Sequence, residues 1–211
     1  MFFPDVHTHF LTGNPYAILN ANSSINSFHS RGIHPWFVED NYSTKLKVLE
    51  SDLQHPKCIA LGEIGLDKVC SSDFNLQRKL FINQIELSEK YQLPVIIHCV
   101  RASNELFQLK QEIKPTQHWI WHGFNKASIL QQTLENETIP SFREAILNNE
   151  SLRNELVNLE SRQFLLETDT STLSIETIYK TVTEIRNQSI NSLQIEQITN
   201  FERIFTKWQI G

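Results

Sequence analysis

The sequence predicts an α/β fold, an eight-stranded parallel barrel of the (β/α)8 TIM type that is shortened and distorted. Three observations predict it. Short β-prone runs alternate with longer amphipathic runs, the pattern of repeated strand–helix units. Five of the short apolar runs end in His, Asp or Glu, and barrel active sites are built at the C-terminal ends of the strands. Finally, 211 residues fall short of the roughly 250 typical of such a barrel. The shortage has a place, because between His9 and Gly32 there is room for two strands and hardly any helix. The first two crossover helices are therefore expected to be reduced or missing.

Taken in order, strands are expected over residues 2–6, 16–20, 26–31, 58–62, 94–98, 117–121, 138–142 and 164–168. Helices are expected over residues 43–53, 74–91, 102–113, 126–136, 151–159, 175–187 and 193–208. In the second helix Phe74, Leu80, Phe81, Ile85, Leu87 and Tyr91 approximate one apolar stripe, and Leu193, Ile195, Ile198, Phe201, Ile204, Phe205 and Trp208 make another near the C-terminus. No repeat, low-complexity tract or linker marks a second domain, so residues 1–211 read as one barrel domain.

Composition narrows the function classes. With 40% hydrophobic and 20% charged residues, including 13 Phe and 4 Trp, the chain can fill a sizeable core and is not expected to be disordered. No apolar run reaches the roughly 18 residues of a membrane span, and Met1-Phe2-Phe3-Pro4-Asp5 lacks the basic start and long apolar stretch of a signal peptide. Cys58, Cys70 and Cys99 are odd in number and widely spaced, which predicts reduced thiols in a cytoplasmic chain. The net charge of −5 excludes a whole-surface grip on nucleic acid and leaves room for a local basic rim. Nothing points to a membrane or to an obligate protein partner.

Glycine is scarce, and four of the six stand near candidate ligands: Gly32, Gly62, Gly65 and Gly123. Asp5-Val6-His7-Thr8-His9 ends the first strand, and strand alternation sends His7 and His9 to the same face, where one metal can take both. Four further strands end in Glu63, His98, His122 and Asp169. Any one such end is equally well a strand emerging into solvent, but five together are harder to explain that way. Three or more imidazoles with carboxylates can hold two divalent ions bridged by one carboxylate, and Glu63 is central in chain order. A structural carboxylate at Glu63 and hydrogen-bonded interior histidines at His98 and His122 are the competing readings. His34 divides evenly between a structural role and a phosphate contact, while His29, His55 and His118 read as structural or surface residues.

Six motifs in order carry a resemblance: Asp5-x-His7-x-His9, Gly32-Ile33-His34-Pro35-Trp36, Gly62-Glu63-Ile64-Gly65-Leu66-Asp67, Pro94-Val95-Ile96-Ile97-His98-Cys99, His122-Gly123-Phe124 and Leu166-Glu167-Thr168-Asp169. Together they resemble the TatD-type metal-dependent deoxyribonucleases of the amidohydrolase-like metallohydrolases. Gln77, Phe81, Gln84 and the stretch from Asn200 to Phe205 also resemble family features. The resemblance implies a barrel with His7, His9 and Asp169 at one metal, His98 and His122 at the other, and Glu63 shared. Departures fall on substrate contacts: Val100-Arg101, Ser141-Phe142-Arg143 and Thr170-Ser171 stand where the family usually has other residues.

The expected activity is divalent-metal-dependent phosphodiester hydrolysis of DNA, in the manner of a 3'-5' exonuclease. Asp169 would be ligand and general base, and Glu63 the catalytic bridge. Zinc, manganese, nickel and magnesium all suit such donors. Lys68, Arg101, Lys126 and Arg143 follow strand ends and, with His34, are the candidate phosphate contacts. Trp36 and Phe124 either stack on bases or close the barrel mouth, packing being the preferred reading. The alternatives are a metal-dependent hydrolase of a small ester, lactone or amide, and a non-catalytic protein on a metal-stabilised barrel.

Overall fold

The computed structural model of the chain describes residues 2–21 and 26–208; Met1, residues 22–25 and residues 209–211, all within the expected domain, lie outside them. Eight strands pair in sequence order, every neighbour parallel: β1 (Asp5–Thr8), β2 (Ala17–Asn20), β3 (His29–Arg31), β4 (Cys58–Asp67), β5 (Val95–Val100), β6 (Trp119–Trp121), β7 (Thr138–Phe142) and β8 (Leu165–Leu166). The ring closes through a parallel bridge between Thr8 and Asp169. There the His9 N–H donates to the Asp169 carbonyl at 3.0 Å and the Asp169 N–H to that of His7 at 2.8 Å. Buried Asp5 secures the same seam, accepting from the Thr168 N–H at 2.9 Å and the Thr168 hydroxyl at 2.7 Å.

The helices are α1 (Ser43–Asp52), α2 (Phe74–Tyr91), α3 (Ser103–Ile113), α4 (Leu130–Glu135), α5 (Glu150–Asn158), α6 (Ile175–Arg186) and α7 (Ile190–Ile204). As expected from the sequence, β1 passes to β2 without a helix, and the described residues between β2 and β3 contain none. Residues 126–136 begin as a 3-10 turn, Ala127–Ile129, before α4.

Two apolar cores flank the strand wall. Leu61, Val95, Ile97, Trp119, Trp121 and Leu166 face the helices. Val6, Ile18, Ile96, Ile120, Ile139 and Leu165 form a second cluster with Phe201 and Ile204 of α7 and with Phe205, which caps it. Trp208 packs on it and donates its indole N–H to the Pro15 carbonyl at 2.9 Å. Pro15 precedes β2, so the end of α7 and the residues just after it plug the mouth at the strand N-termini. Two residues beyond the inner apolar layer, strand alternation places Asn20, His98, His122, Ser141 and Glu167 at the opposite mouth.

Several boundaries differ from the expected ones for local reasons. The first strand starts three residues late, because Pro4 has no N–H for the ladder and Asp5 makes the first bond, to Tyr16. β4 runs on to Asp67, well past residue 62. Its glycines allow β5 to lie against it: a Cβ on Gly62 would sit 2.6 Å from Ile96 Cβ, and one on Gly65 only 1.8 Å from the His98 carbonyl oxygen. β8 keeps only two of the five expected residues.

Candidate metal centre

Glu63 owes its position to an irregularity in the sheet. Gly62 pairs with Ile96 and Ile64 with Ile97, leaving Glu63 as an extra residue between them, the kind of bulge that re-aims a side chain. A similar shift between Asp5 and Thr8 lets Val6 fill the inner core while His7 reaches the cluster. α2 steadies two surrounding loops with side chains two turns apart. Gln77 accepts from the Asp67 N–H at 2.8 Å and donates to the Asp67 carbonyl at 2.9 Å, while Gln84 accepts from the Ile33 N–H at 2.7 Å and donates to the Ile33 carbonyl at 3.2 Å.

The two oxygens of Glu63 face different groups. Oε2 lies 3.4 Å from His7 Nε2 and 3.7 Å from His9 Nε2, and it accepts from Asn20 Nδ2 at 3.0 Å. Oε1 lies 2.7 Å from His122 Nε2, 3.3 Å from His98 Nδ1 and 3.6 Å from His34 Nε2. Asp169 Oδ1 joins the first group at 3.6 Å from His7 and 3.4 Å from His9. Its Oδ2 is 2.8 Å from Arg143 Nη1. Donor atoms of His7, His9 and Glu63, of His7, His122 and Asp169, and of His34, Glu63 and His98 each gather within 4.8 Å.

The far nitrogens of two imidazoles meet carboxylates. His98 Nε2 is 3.1 Å from Asp67 Oδ2, within hydrogen-bond reach, whereas His122 Nδ1 approaches Glu167 Oε1 to 3.5 Å without a hydrogen bond among the described residues. Glu167 is itself fixed by the Gly123 N–H at 2.6 Å. Such carboxylates orient a ligating ring and set its tautomer.

Burial acts to raise the Glu63 carboxyl, but His122, His34 and His7 outweigh it and hold the group well below the usual carboxylate range. Burial likewise opposes charge on His122, and Glu63 with Glu167 overcomes it, raising the imidazole. His9 is raised chiefly by its contact with Glu63. At His34 burial prevails and the ring is lowered. The carboxylate charge that raises His9 and His122 would equally favour a cation held between these groups. His7 adds a direct sign of fit: it is wholly buried, and among the described residues neither ring nitrogen has a hydrogen-bond partner. Imidazole and carboxylate donors in this proportion suit a divalent ion.

The structure thus gathers His7, His9, Glu63, His98, His122 and Asp169 at one mouth, and adds His34 and Arg143 to the lining of the same cleft of about 880 Å³. It does not place Arg101 or Lys126 in that lining. Arg101 is exposed, and Lys126 Nζ lies 5.4 Å from the Trp121 ring centroid. Lys68 pairs with Glu105. Phe124 is core, as expected, but Trp36 is exposed. The sequence assigned no role to Asp67, Glu167 or Asn20. Asp67 and Glu167 stand within the recognised motifs, which was their only signal.

A parallel barrel with a histidine–carboxylate cluster at the strand C-termini has the plan of a metallohydrolase. Residues 11–206 match the family described as TatD related DNase, and the chain belongs to that family. Among curated relatives, the 3'-5' RNA nuclease TATDN2 of Homo sapiens is 32% identical over 91 residues, covering 42% of this chain and 12% of that protein. The uncharacterized metal-dependent hydrolase YjjV of Escherichia coli is 35% identical over 98 residues, 44% of this chain and 38% of that protein. The putative deoxyribonuclease tatdn3 of Danio rerio is 26% identical over 157 residues, 69% and 59%. Each match thus spans less than two thirds of the relative's length. The crystal structure of E. coli YJJV shares the fold, with a TM-score of 0.76 at 22% identity over 85% of this chain and 77% of that one. A TatD family hydrolase from Entamoeba histolytica gives 0.73 at 20% identity over 87% and 76%.

Proposed function

We propose that the chain hydrolyses phosphodiester bonds of nucleic acid, DNA in the first instance, from the 3' end, with two divalent ions held around Glu63. The observation that carries this is the division of Glu63, Oε2 toward His7 and His9 and Oε1 toward His98 and His122. His7, His9 and Asp169 would hold one ion, His98 and His122 the other, and Glu63 both; zinc, manganese, nickel and magnesium suit these donors. When bound, divalent ions supply a nucleophile at neutral pH and neutralise charge on phosphate oxygens.

The chain's own groups do the rest. Asp67 and Glu167 hold the rings of His98 and His122 in register. Asp169 takes the proton of the attacking water at Oδ2, which Arg143 vacates for a phosphate oxygen. Arg143 is suited to that exchange, since its Nε is buried without a hydrogen-bond partner among the described residues. His34 binds the phosphate from the other side of the cleft. Relatives named as nucleases support a nucleic-acid substrate, and relatives named only as metal-dependent hydrolases keep a small ester, lactone or amide as the second reading.

The test is metal-titrated hydrolysis of end-labelled single-stranded DNA and RNA, beside a simple phosphodiester and an aryl ester. Stepwise, metal-dependent shortening from the 3' end is expected, abolished in Asp169→Ala and strongly reduced in His7→Ala and Glu63→Ala. A protein that binds metal yet cleaves no nucleic acid with any of the four metals would transfer the assignment to small substrates.

A further inference from the structure

Trp36 is 58% exposed and Phe37 62% exposed, but the indole is not free to turn. Its N–H donates to Asp67 Oδ2 at 2.7 Å, the same oxygen that lies 3.1 Å from His98 Nε2. The carboxylate is fixed in turn, because Oδ1 accepts the Val69 N–H at 2.7 Å and Gln77 grips the Asp67 backbone. The His34 ring meets the indole edge-on with centroids 4.9 Å apart, and the His98 ring lies 6.0 Å away. A large flat apolar surface is therefore held still at the mouth of the cleft, beside the imidazoles that face Glu63.

Ile33, Val48 and Leu49 join Trp36 and Phe37 in the lining of the cleft and make up its apolar wall, and Val48 is itself 56% exposed. A phosphate alone has no use for such a wall, whereas a planar ring joined to a phosphate does. Stacking on an aromatic side chain needs only a π-face, so it accepts any base. A base within a duplex already has both faces covered, and one at an unpaired end does not.

We propose that Trp36 is a stacking subsite for an unpaired nucleobase next to the phosphate at the metal centre, selecting a single-stranded end without reading its sequence. The subsite presupposes the nuclease function proposed for the same cleft. Asp67 is the positioning residue that joins it to His98, so one carboxylate orients both the base-binding ring and an imidazole of the centre.

The test is binding of two fluorescent, uncleavable phosphorothioate tetramers of equal charge, one of thymidines and one abasic, to the metal-loaded protein, read by anisotropy. Wild type should bind the thymidine tetramer about tenfold more tightly, the order expected of one stacked base. Trp36→Ala should lose that preference by weakening the thymidine tetramer alone, and Trp36→Phe, which keeps a ring but not the N–H, should retain most of it. Trp36→Ala that keeps the preference, or that weakens both tetramers alike, would overturn the subsite while leaving the nuclease function standing. A wild type that binds neither tetramer would remove both.

Discussion

His7 shows at the scale of one residue why the cluster suits a cation: a wholly buried imidazole whose two nitrogens have no hydrogen-bond partner among the described residues leaves polar atoms without compensation. His98 is better provided for, with hydrogen bonds at both ring nitrogens, and the difference is testable at Asp67. That carboxylate serves His98 Nε2 and the Trp36 indole together, and partners of this kind typically contribute 10- to 100-fold to metal affinity. Asp67→Asn should therefore weaken binding of the ion proposed at His98 and His122 by about tenfold or more, measured by competition with a chromogenic chelator, with the folded state unchanged by circular dichroism. Unaltered affinity would deny Asp67 the role. The six clustered donors were legible in the sequence because each stands at or near the end of an apolar run, where chain direction fixes which mouth it reaches. Asp67 and Glu167 were not legible as partners, since which ring a carboxylate meets depends on how neighbouring strands are staggered. Basic residues misled for a similar reason: following a strand end placed Arg143 in the cleft but left Arg101 and Lys126 outside its lining.

At the scale of elements, periodicity found the helices well and the strands less well. α2 matches its expected bounds because a long amphipathic run is capped at Asp73, which accepts from the Leu76 N–H. β4 runs five residues past the expected end at Gly62, and Gly62 and Gly65 within it mark the close approach of β5. α7 is the element whose position matters most to the inner core, since Phe201, Ile204 and Phe205 fill the barrel from the end opposite the site. Phe201→Ala should lower the unfolding free energy by about 3 to 5 kcal/mol, the usual cost of emptying a buried phenyl site, measured by urea denaturation. Metal content under native conditions should stay the same, because the apolar layer separates α7 from the histidines. Loss of metal from a variant that is still folded would contradict that separation.

Across the whole molecule the net charge is −5, and the cations lining the cleft, Arg31, Lys45 and Arg143, each pair with a carboxylate, so the proposed ions would supply most of the unpaired positive charge there. Stability should also carry a pH signature far from the site. Burial pushes the Lys110 amino group down to about 8 from 10.5, where it donates to the Glu137 carbonyl at 2.6 Å. Between those values the unfolded chain holds more protons than the folded one, so this group makes stability rise with pH, by about 3 kcal/mol at most. Subtracting the profile of Lys110→Met from that of wild type should isolate the rise, and a flat difference between pH 8 and 10.5 would show that Lys110 is not desolvated.

The most direct measurement is the number of divalent ions bound per folded chain, by elemental analysis after equilibrium dialysis against manganese or zinc. Wild type should hold two. The His98→Ala, His122→Ala double variant should hold one, and Glu63→Ala should no longer hold the pair. A wild-type chain that binds a single ion, or none, with either metal would contradict a centre built around a shared Glu63.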